Sequence, residues 1–286
     1  MGTELGRSVL VGLIGRGTAL SRTPRMHEVE GARQGLRYVY TRIDPAEMEG
    51  DPSFEEMLRA AETCGFAGVN VTHPYKQQAV AFLDTMSEEA RAVGAVNTIV
   101  FKDRRREGHN TDLWGFAESF RRSMASERKD TVLLIGAGGA GSAVANALLA
   151  RGVGTLLVAD TNRAGAERLV EALSARFGGV RAAVADRADA AAAEVDGIVN
   201  ATPVGMADHP GTPLPVACVE ARHWVIDIIY FPMETEFVRA ARAAGCRVAT
   251  GAGMALFQAV RAFELFSGLP ADPEAMRATF DGFGPR

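Results

Sequence analysis

Apolar residues fall into short runs separated by longer stretches in which they recur every three or four positions. Short runs bounded by turn residues read as buried strands, and the three-to-four spacing reads as amphipathic helices. The pattern predicts strands over 8–15, 38–43 and 67–71, with helices over 24–34 and 53–63 between them. A β-like run at 97–101 and a basic turn, Arg104-Arg105-Arg106, precede a further helix over 113–124. The second half repeats the alternation, with strands at 132–135, 155–159, 196–200 and 224–229 and a largely apolar helix over 254–266. Strands alternating with helices predict an α/β protein built from parallel βαβ units.

One stretch adds chemistry to this pattern. Gly136-Ala137-Gly138-Gly139-Ala140-Gly141 fits G-x-G-x-x-G, follows a strand directly and opens an alanine-rich helix. In a βαβ unit such glycines serve a tight turn, close approach of backbone to a pyrophosphate, and close packing of helix on strand. The helix N-terminus adds free N–H groups and positive partial charge for the phosphates. Asp160 closes the second strand, 24 residues after Gly136. A carboxylate there can accept both ribose hydroxyls of NAD and repels the 2′-phosphate of NADP, so NAD is the expected cofactor and NADP the less favoured one. The first half carries no such fingerprint, which predicts two domains with different tasks: a Rossmann-type dinucleotide-binding domain and an N-terminal α/β domain that handles substrate.

In open α/β sheets ligands bind beyond the carboxyl ends of the strands. Asn70-Val71-Thr72-His73-Pro74-Tyr75-Lys76 starts at such a tip, which places Asn70, Thr72 and Lys76 at the functional edge. Pro74 predicts a helix start, with Lys76 in its first turn against the macrodipole, an arrangement costing about 0.3–1 kcal/mol. Ahead of the first helix stand Ser21 and Thr23. Thr23 as N-cap with Pro24 at the first helical position is one reading, but it leaves Ser21 without a role. Two further loops are Gly94-Ala95-Val96-Asn97-Thr98 and Gly108-His109-Asn110-Thr111-Asp112, where Thr111 or Asp112 could cap the following helix. A lysine and an aspartate on neighbouring strand-end loops are the minimum needed to move a proton. Gln258 is an uncharged amide among Leu256, Phe257 and Val260, and a buried amide needs partners.

Composition narrows the classes. A chain of 286 residues suggests about two domains, and 47% hydrophobic with 23% charged residues is an ordinary globular balance. The net charge of −4 provides no basic field for nucleic acid or an anionic membrane. The three cysteines are far apart and the five histidines share no ligand spacing, so no disulfide framework and no metal are expected. No charged leader with an apolar core opens the sequence and no apolar run is long enough to span a bilayer, which makes the cytoplasm the expected location.

Collected in order, these loops resemble the shikimate dehydrogenase family, and more closely its quinate/shikimate dehydrogenase branch. The resemblance rests on Ser21-Arg22-Thr23-Pro24-x-x-His27, the Asn70–Lys76 loop, Gly94-Ala95-Val96-Asn97-Thr98 and Gly108-His109-Asn110-Thr111-Asp112. It continues through the glycine loop, Asn200-Ala201-Thr202-Pro203-Val204-Gly205-Met206, and Gly253-Met254 with Gln258. It implies that Lys76 and Asp112 are the catalytic pair. Ser21, Thr23, Asn70, Thr72, Asn97 and Gln258 would hold the hydroxyls and carboxylate of a cyclohexane or cyclohexene acid. Threonine at 23, where most biosynthetic members have serine, resembles the branch that also accepts quinate. The cofactor set would be Gly136, Ala137, Gly138, Gly139, Ala140, Gly141, Asp160, Thr202, Pro203 and Met254, with Arg163 near the place where NADP-using relatives carry a phosphate-clamping arginine. Residues 1–110 plus 254–286 would form the substrate domain and 111–253 an inserted cofactor domain, with substrate in a cleft closed by a hinge. The implied activity is NAD-dependent oxidation of quinate and shikimate by a monomer or homodimer. An NADP-dependent biosynthetic shikimate dehydrogenase, an aminoshikimate-type enzyme and a non-catalytic nucleotide-binding regulator are the competing readings. The family usually has aspartate where Thr250 stands, which puts the local turn in question.

Overall fold

A computed structural model describes residues 6–283. The chain divides into two compact units, one running to Thr111 and resuming at Leu256, the other holding Asp112–Ala255.

In the first unit the chain runs β1 (Ser8–Ile14), α1 (Thr23–Arg33), β2 (Arg37–Ile43), α2 (Phe54–Thr63), β3 (Gly68–Val71), β4 (Thr85–Met86), α3 (Glu88–Val93), β5 (Thr98–Lys102) and β6 (Arg105–His109). The sheet order is β2-β1-β3-β5-β6-β4. β1 pairs in parallel with β2 and β3, but β5 is antiparallel to both β3 and β6, so the sheet is mixed and not built from parallel units throughout. The β5–β6 hairpin turns through Asp103 and Arg104 at positive φ, the backbone a two-residue turn requires. Arg106, expected in a solvated turn, lies in β6 and is half-buried on Glu62 at 2.7 Å. One face of the sheet packs Ile14, Val69 and Val71 on Phe54 and Leu58 of α2, a helix started by a Ser53–Glu56 capping box.

The chain passes into the second unit at the start of α4 (Thr111–Ser123) and continues with β7 (Thr131–Ile135), α5 (Gly139–Ala150), β8 (Thr155–Ala159), α6 (Arg163–Phe177), β9 (Ala182–Val184), α7 (Ala188–Ala192), β10 (Gly197–Asn200), β11 (Trp224–Asp227), α8 (Glu236–Ala243) and β12 (Arg247–Thr250). All six of its strands are parallel, in the order β12-β11-β10-β7-β8-β9. Strand order reverses between β7 and β10, the switch point at which doubly wound sheets bind nucleotides. β10 and β11 are buried along their whole length, as strands covered by helices on both faces must be. Thr250 ends β12 in register with Asp227, and Gly251 N–H donates to Ile229 O, so the turn forms without an aspartate. The last elements are α9 (Ala252–Ser267) and α10 (Pro273–Asp281). In the first unit, Phe263 and Phe266 of α9 fill the other sheet face with Val9, Val11, Tyr38 and Tyr40. No helix among the described residues is long and apolar enough to cross a membrane.

Candidate active site

The glycine loop occupies the switch point, and its glycines divide the work. Gly136 has φ +108°, and a Cβ there would lie 2.7 Å from the Ala201 carbonyl oxygen on the neighbouring strand end. Gly141 faces Gly136 so closely that a Cβ would stand 2.0 Å from its carbonyl oxygen. Added methyls on Gly138 and Gly139, by contrast, meet nothing within 4 Å, which leaves backbone approachable from outside. Ala137 and Ala140 complete the turn, and α5 starts at Gly139 with its first N–H groups available to an anion. These residues fit a pyrophosphate.

Asp160 braces this loop. Its Oδ2 accepts the Ala137 N–H at 2.6 Å and its Oδ1 accepts the Asn162 N–H at 2.7 Å. Each carboxylate oxygen can accept more than one hydrogen bond, so capacity remains for a ribose diol. Arg163, the first residue of α6, directs Nε to Glu167 at 2.8 Å and a terminal nitrogen to Asp186 at 2.5 Å. On the other side of the switch point, Thr202 is folded into its own loop. Its hydroxyl donates to Asn200 Oδ1 at 2.7 Å and accepts the Val204 N–H at 3.1 Å. Asn200 in turn donates to Asp227, whose carboxylate also holds Thr235 Oγ1 at 2.7 Å and the Ile229 N–H at 3.1 Å. Asp227 is fully buried, and burial pushes its carboxyl above the usual carboxylate range against the pull of those hydrogen bonds. Pro203 is exposed at the loop tip, and Met254 sits half-buried in the first turn of α9.

In the first unit the substrate candidates gather on the loops after β1 and β3. Thr23 is not the N-cap of α1: that position belongs to Arg22, and no side chain caps it. Thr23 Oγ1 instead accepts from Gln258 Nε2 at 3.3 Å, a partner 235 positions away that local pattern could not supply. Between Ser21 and Thr23, Arg22 is buried, donates to Phe280 O at 3.3 Å and lies 4.8 Å over the Phe280 ring. Thr72 packs tightly on Gly15, where a Cβ would stand 2.2 Å from its methyl. The expected helix at Pro74 is absent. Residues 73–77 form turns and only a 3-10 helix, Gln78–Phe82, follows. The Lys76 carbonyl accepts Val96 N–H at 2.9 Å from another segment, so it is withdrawn from the ladder a helix would need. Lys76 is half-buried, and the macrodipole cost does not arise.

Behind these loops runs a buried polar chain. Tyr40 hydroxyl donates to Asn70 Oδ1 at 2.6 Å, while Asn70 Nδ2 donates to Thr98 Oγ1 at 2.8 Å and to Asn97 O at 3.1 Å. Both amide hydrogens of Asn70 are thus engaged by protein, and at most one acceptor site is left for a ligand. Asn97 Oδ1 accepts the Thr111 N–H at 2.7 Å, and its Nδ2 lies 2.9 Å from Thr111 Oγ1. Asn97, fourteen residues upstream, therefore holds the first N–H of α4. Asp112 follows in the first turn of α4. Tyr40 escaped the sequence reading, as did the supporting roles of Thr98, Thr111, Asn200, Asp227 and Arg22. Tyr38 and Tyr40 facing inward from one strand, and an acid closing a strand at Asp227, were the signals present. Among the described residues no group of three His, Cys, Asp or Glu side chains could hold a metal ion.

A dinucleotide fingerprint at a switch point, joined to a separate unit lined with hydroxyls, amides and a lysine, defines a nucleotide-dependent oxidoreductase. Family models match the shikimate dehydrogenase substrate binding domain over residues 13–99, the shikimate 5′-dehydrogenase C-terminal domain over 251–279 and the saccharopine dehydrogenase NADP binding domain over 132–264. The chain belongs to the shikimate dehydrogenase family. It is 48% identical to the quinate/shikimate dehydrogenase (NAD(+)) of Corynebacterium efficiens, covering 96% of this chain and 98% of that one. It is 49% identical to the shikimate dehydrogenase (NADP(+)) of Streptomyces avermitilis, covering 96% and 94%. The solved quinate dehydrogenase from Corynebacterium glutamicum in complex with NAD superposes with a TM-score of 0.93 at 44% identity, covering 97% of this chain and all of the other. Identity alone does not separate NAD-using from NADP-using relatives, so the cofactor must be read from the site.

Proposed function

We propose that this chain is an NAD-dependent quinate/shikimate dehydrogenase, interconverting quinate with 3-dehydroquinate and shikimate with 3-dehydroshikimate. The observation that carries the cofactor choice is Asp160, fixed by two backbone N–H groups at the end of β8. A carboxylate so placed accepts a ribose diol and opposes a 2′-phosphate. NAD, when bound, accepts the hydride that leaves the alcohol carbon. The protein must manage the hydroxyl proton, and Lys76 with Asp112 is the pair assigned to it. Lysine's ordinary pKa of about 10.4 makes it a ready proton donor when a ketone is reduced. In the oxidative direction it must first be neutral, so activity rises toward alkaline pH. Ser21, Thr23, Thr72, Asn97 and Gln258 orient the ring acid, with Asn70 behind them as a support. The Thr23 methyl shapes the wall around the carboxylate-bearing carbon. The small-molecule partners are quinate and shikimate, and the working form is a cytoplasmic monomer or homodimer.

The test is a set of initial rates with quinate and shikimate, each paired with NAD and NADP. Activity with NAD on both substrates is expected. No activity in any of the four combinations would sink the enzyme reading, and activity with NADP alone would overturn the role given to Asp160.

A further inference from the structure

The second unit carries a feature that the cofactor assignment above does not use. Arg163 lies three positions beyond Asp160, at the opening of α6, where a guanidinium and a helix N-terminus together suit a 2′-phosphate. The guanidinium is engaged elsewhere: Glu167 takes Nε and Asp186 takes a terminal nitrogen. Asp186 reaches it because β9 pairs in parallel with β8 and the two strands end together, with Ala185 N–H donating to Val158 O at 2.8 Å. The adjacent Arg187 is bound in turn by Asp189. Two carboxylates, those of Glu167 and Asp186, therefore face one guanidinium at this edge, while Asp160 is turned to the Ala137 and Asn162 N–H groups.

We infer that Asp186 is a second determinant of cofactor choice: it occupies the Arg163 guanidinium that could otherwise receive a 2′-phosphate. The inference rests on the NAD reading of the preceding section and extends it to a residue on a different strand. Asp160 repels the phosphate directly, whereas Asp186 acts by removing the cation that would attract it. The pair is exposed, so its effect is modest and screened by salt. It follows that changing Asp160 alone leaves Arg163 engaged and produces only part of a switch toward NADP.

The test reads dissociation constants for NADH and NADPH by fluorescence titration, at low and at high ionic strength, and so needs no turnover. Asp186→Ala lowers the NADPH-to-NADH ratio of dissociation constants by about 1.5-fold to fivefold, the range of an exposed charge interaction. Combined with Asp160→Ser, it lowers the ratio by more than the product of the single effects. Adding Arg163→Ala to the double variant removes that extra gain. A ratio unchanged by Asp186→Ala in both backgrounds, or a gain that persists without Arg163, would overturn the inference. Wild-type protein that binds NADH tightly yet oxidises neither quinate nor shikimate would sink the proposed function while leaving Asp186 under test.

Discussion

Replacing Asn70 with alanine separates two roles that the sequence could not distinguish. If Asn70 chiefly held substrate, its loss would weaken binding and leave the unit's stability intact. The buried chain indicates the opposite. Asn97 O keeps its bond from Val71 N–H at 2.8 Å, and Thr98 Oγ1 keeps Asn97 Oδ1 at 3.2 Å. The Tyr40 hydroxyl, 5% exposed as a residue, loses its acceptor. An orphaned buried donor costs about 1–3 kcal/mol, and the two lost amide bonds add about 0.5–1.5 kcal/mol each. Asn70→Ala should therefore destabilise the first unit by about 2–6 kcal/mol. Tyr40→Phe should cost about 1–3 kcal/mol by leaving Asn70 Oδ1 short of a donor. The double variant should cost at least about 2 kcal/mol less than the two single costs added, because neither orphan is then left. Tryptophan fluorescence would miss the effect, since Trp114 and Trp224 both lie in the second unit. Hydrogen exchange of peptides spanning β3 and β5 reads it directly, with exchange of β8 peptides as the internal control. Unchanged exchange in Asn70→Ala, together with a raised KM for quinate, would refute the reasoning and return Asn70 to the substrate shell.

Three further outcomes are expected. Lys76→Ala should lower kcat by about 10²–10⁴-fold, the usual contribution of a general acid–base, with NADH affinity retained; stopped-flow turnover and titration check both halves. Thr23→Ser should lower the quinate-to-shikimate ratio of kcat/KM by about tenfold, the low end of what one methyl against a ring carbon discriminates. His27 is buried among Tyr38, Tyr40 and Phe263, and burial pushes its pKa down to about 3. The unfolded chain takes up that proton near pH 6.5 while the folded one refuses it, so the stability is present above pH 6.5 and is lost on acidification toward pH 3, by about 1.4 kcal/mol per unit. Chemical denaturation between pH 7 and 5 should show this slope in the wild type and a shallower one in His27→Gln.

The parts legible in sequence are those fixed locally. The glycine loop, Asp160 and the flanking strands follow from a motif of about thirty residues in which turn, helix start and strand end are neighbours. The first unit was legible as strands and helices but less so as a site. Thr23 carries every local mark of an N-cap, yet its hydroxyl is taken by Gln258 from the far end of the chain. Asn70 stands at a strand tip like a ligand, yet Tyr40 and Thr98 claim its amide. Pro74 promises a helix, and one hydrogen bond from Val96 to the Lys76 carbonyl diverts it. In each case a partner distant in sequence outcompetes a local preference worth about a kilocalorie.

Arg22 has a consequence for how the protein is made. A chain leaves the ribosome N-terminus first, so the loop bearing Ser21 and Thr23 is among the earliest segments to emerge. Its fastenings, Gln258 and the Phe280 ring and carbonyl, are among the last. A nascent chain can complete its inserted nucleotide unit while this loop is still untied. Under the proposed roles of Ser21, Thr23 and Gln258, recognition of the ring acid is thus deferred until translation has all but ended.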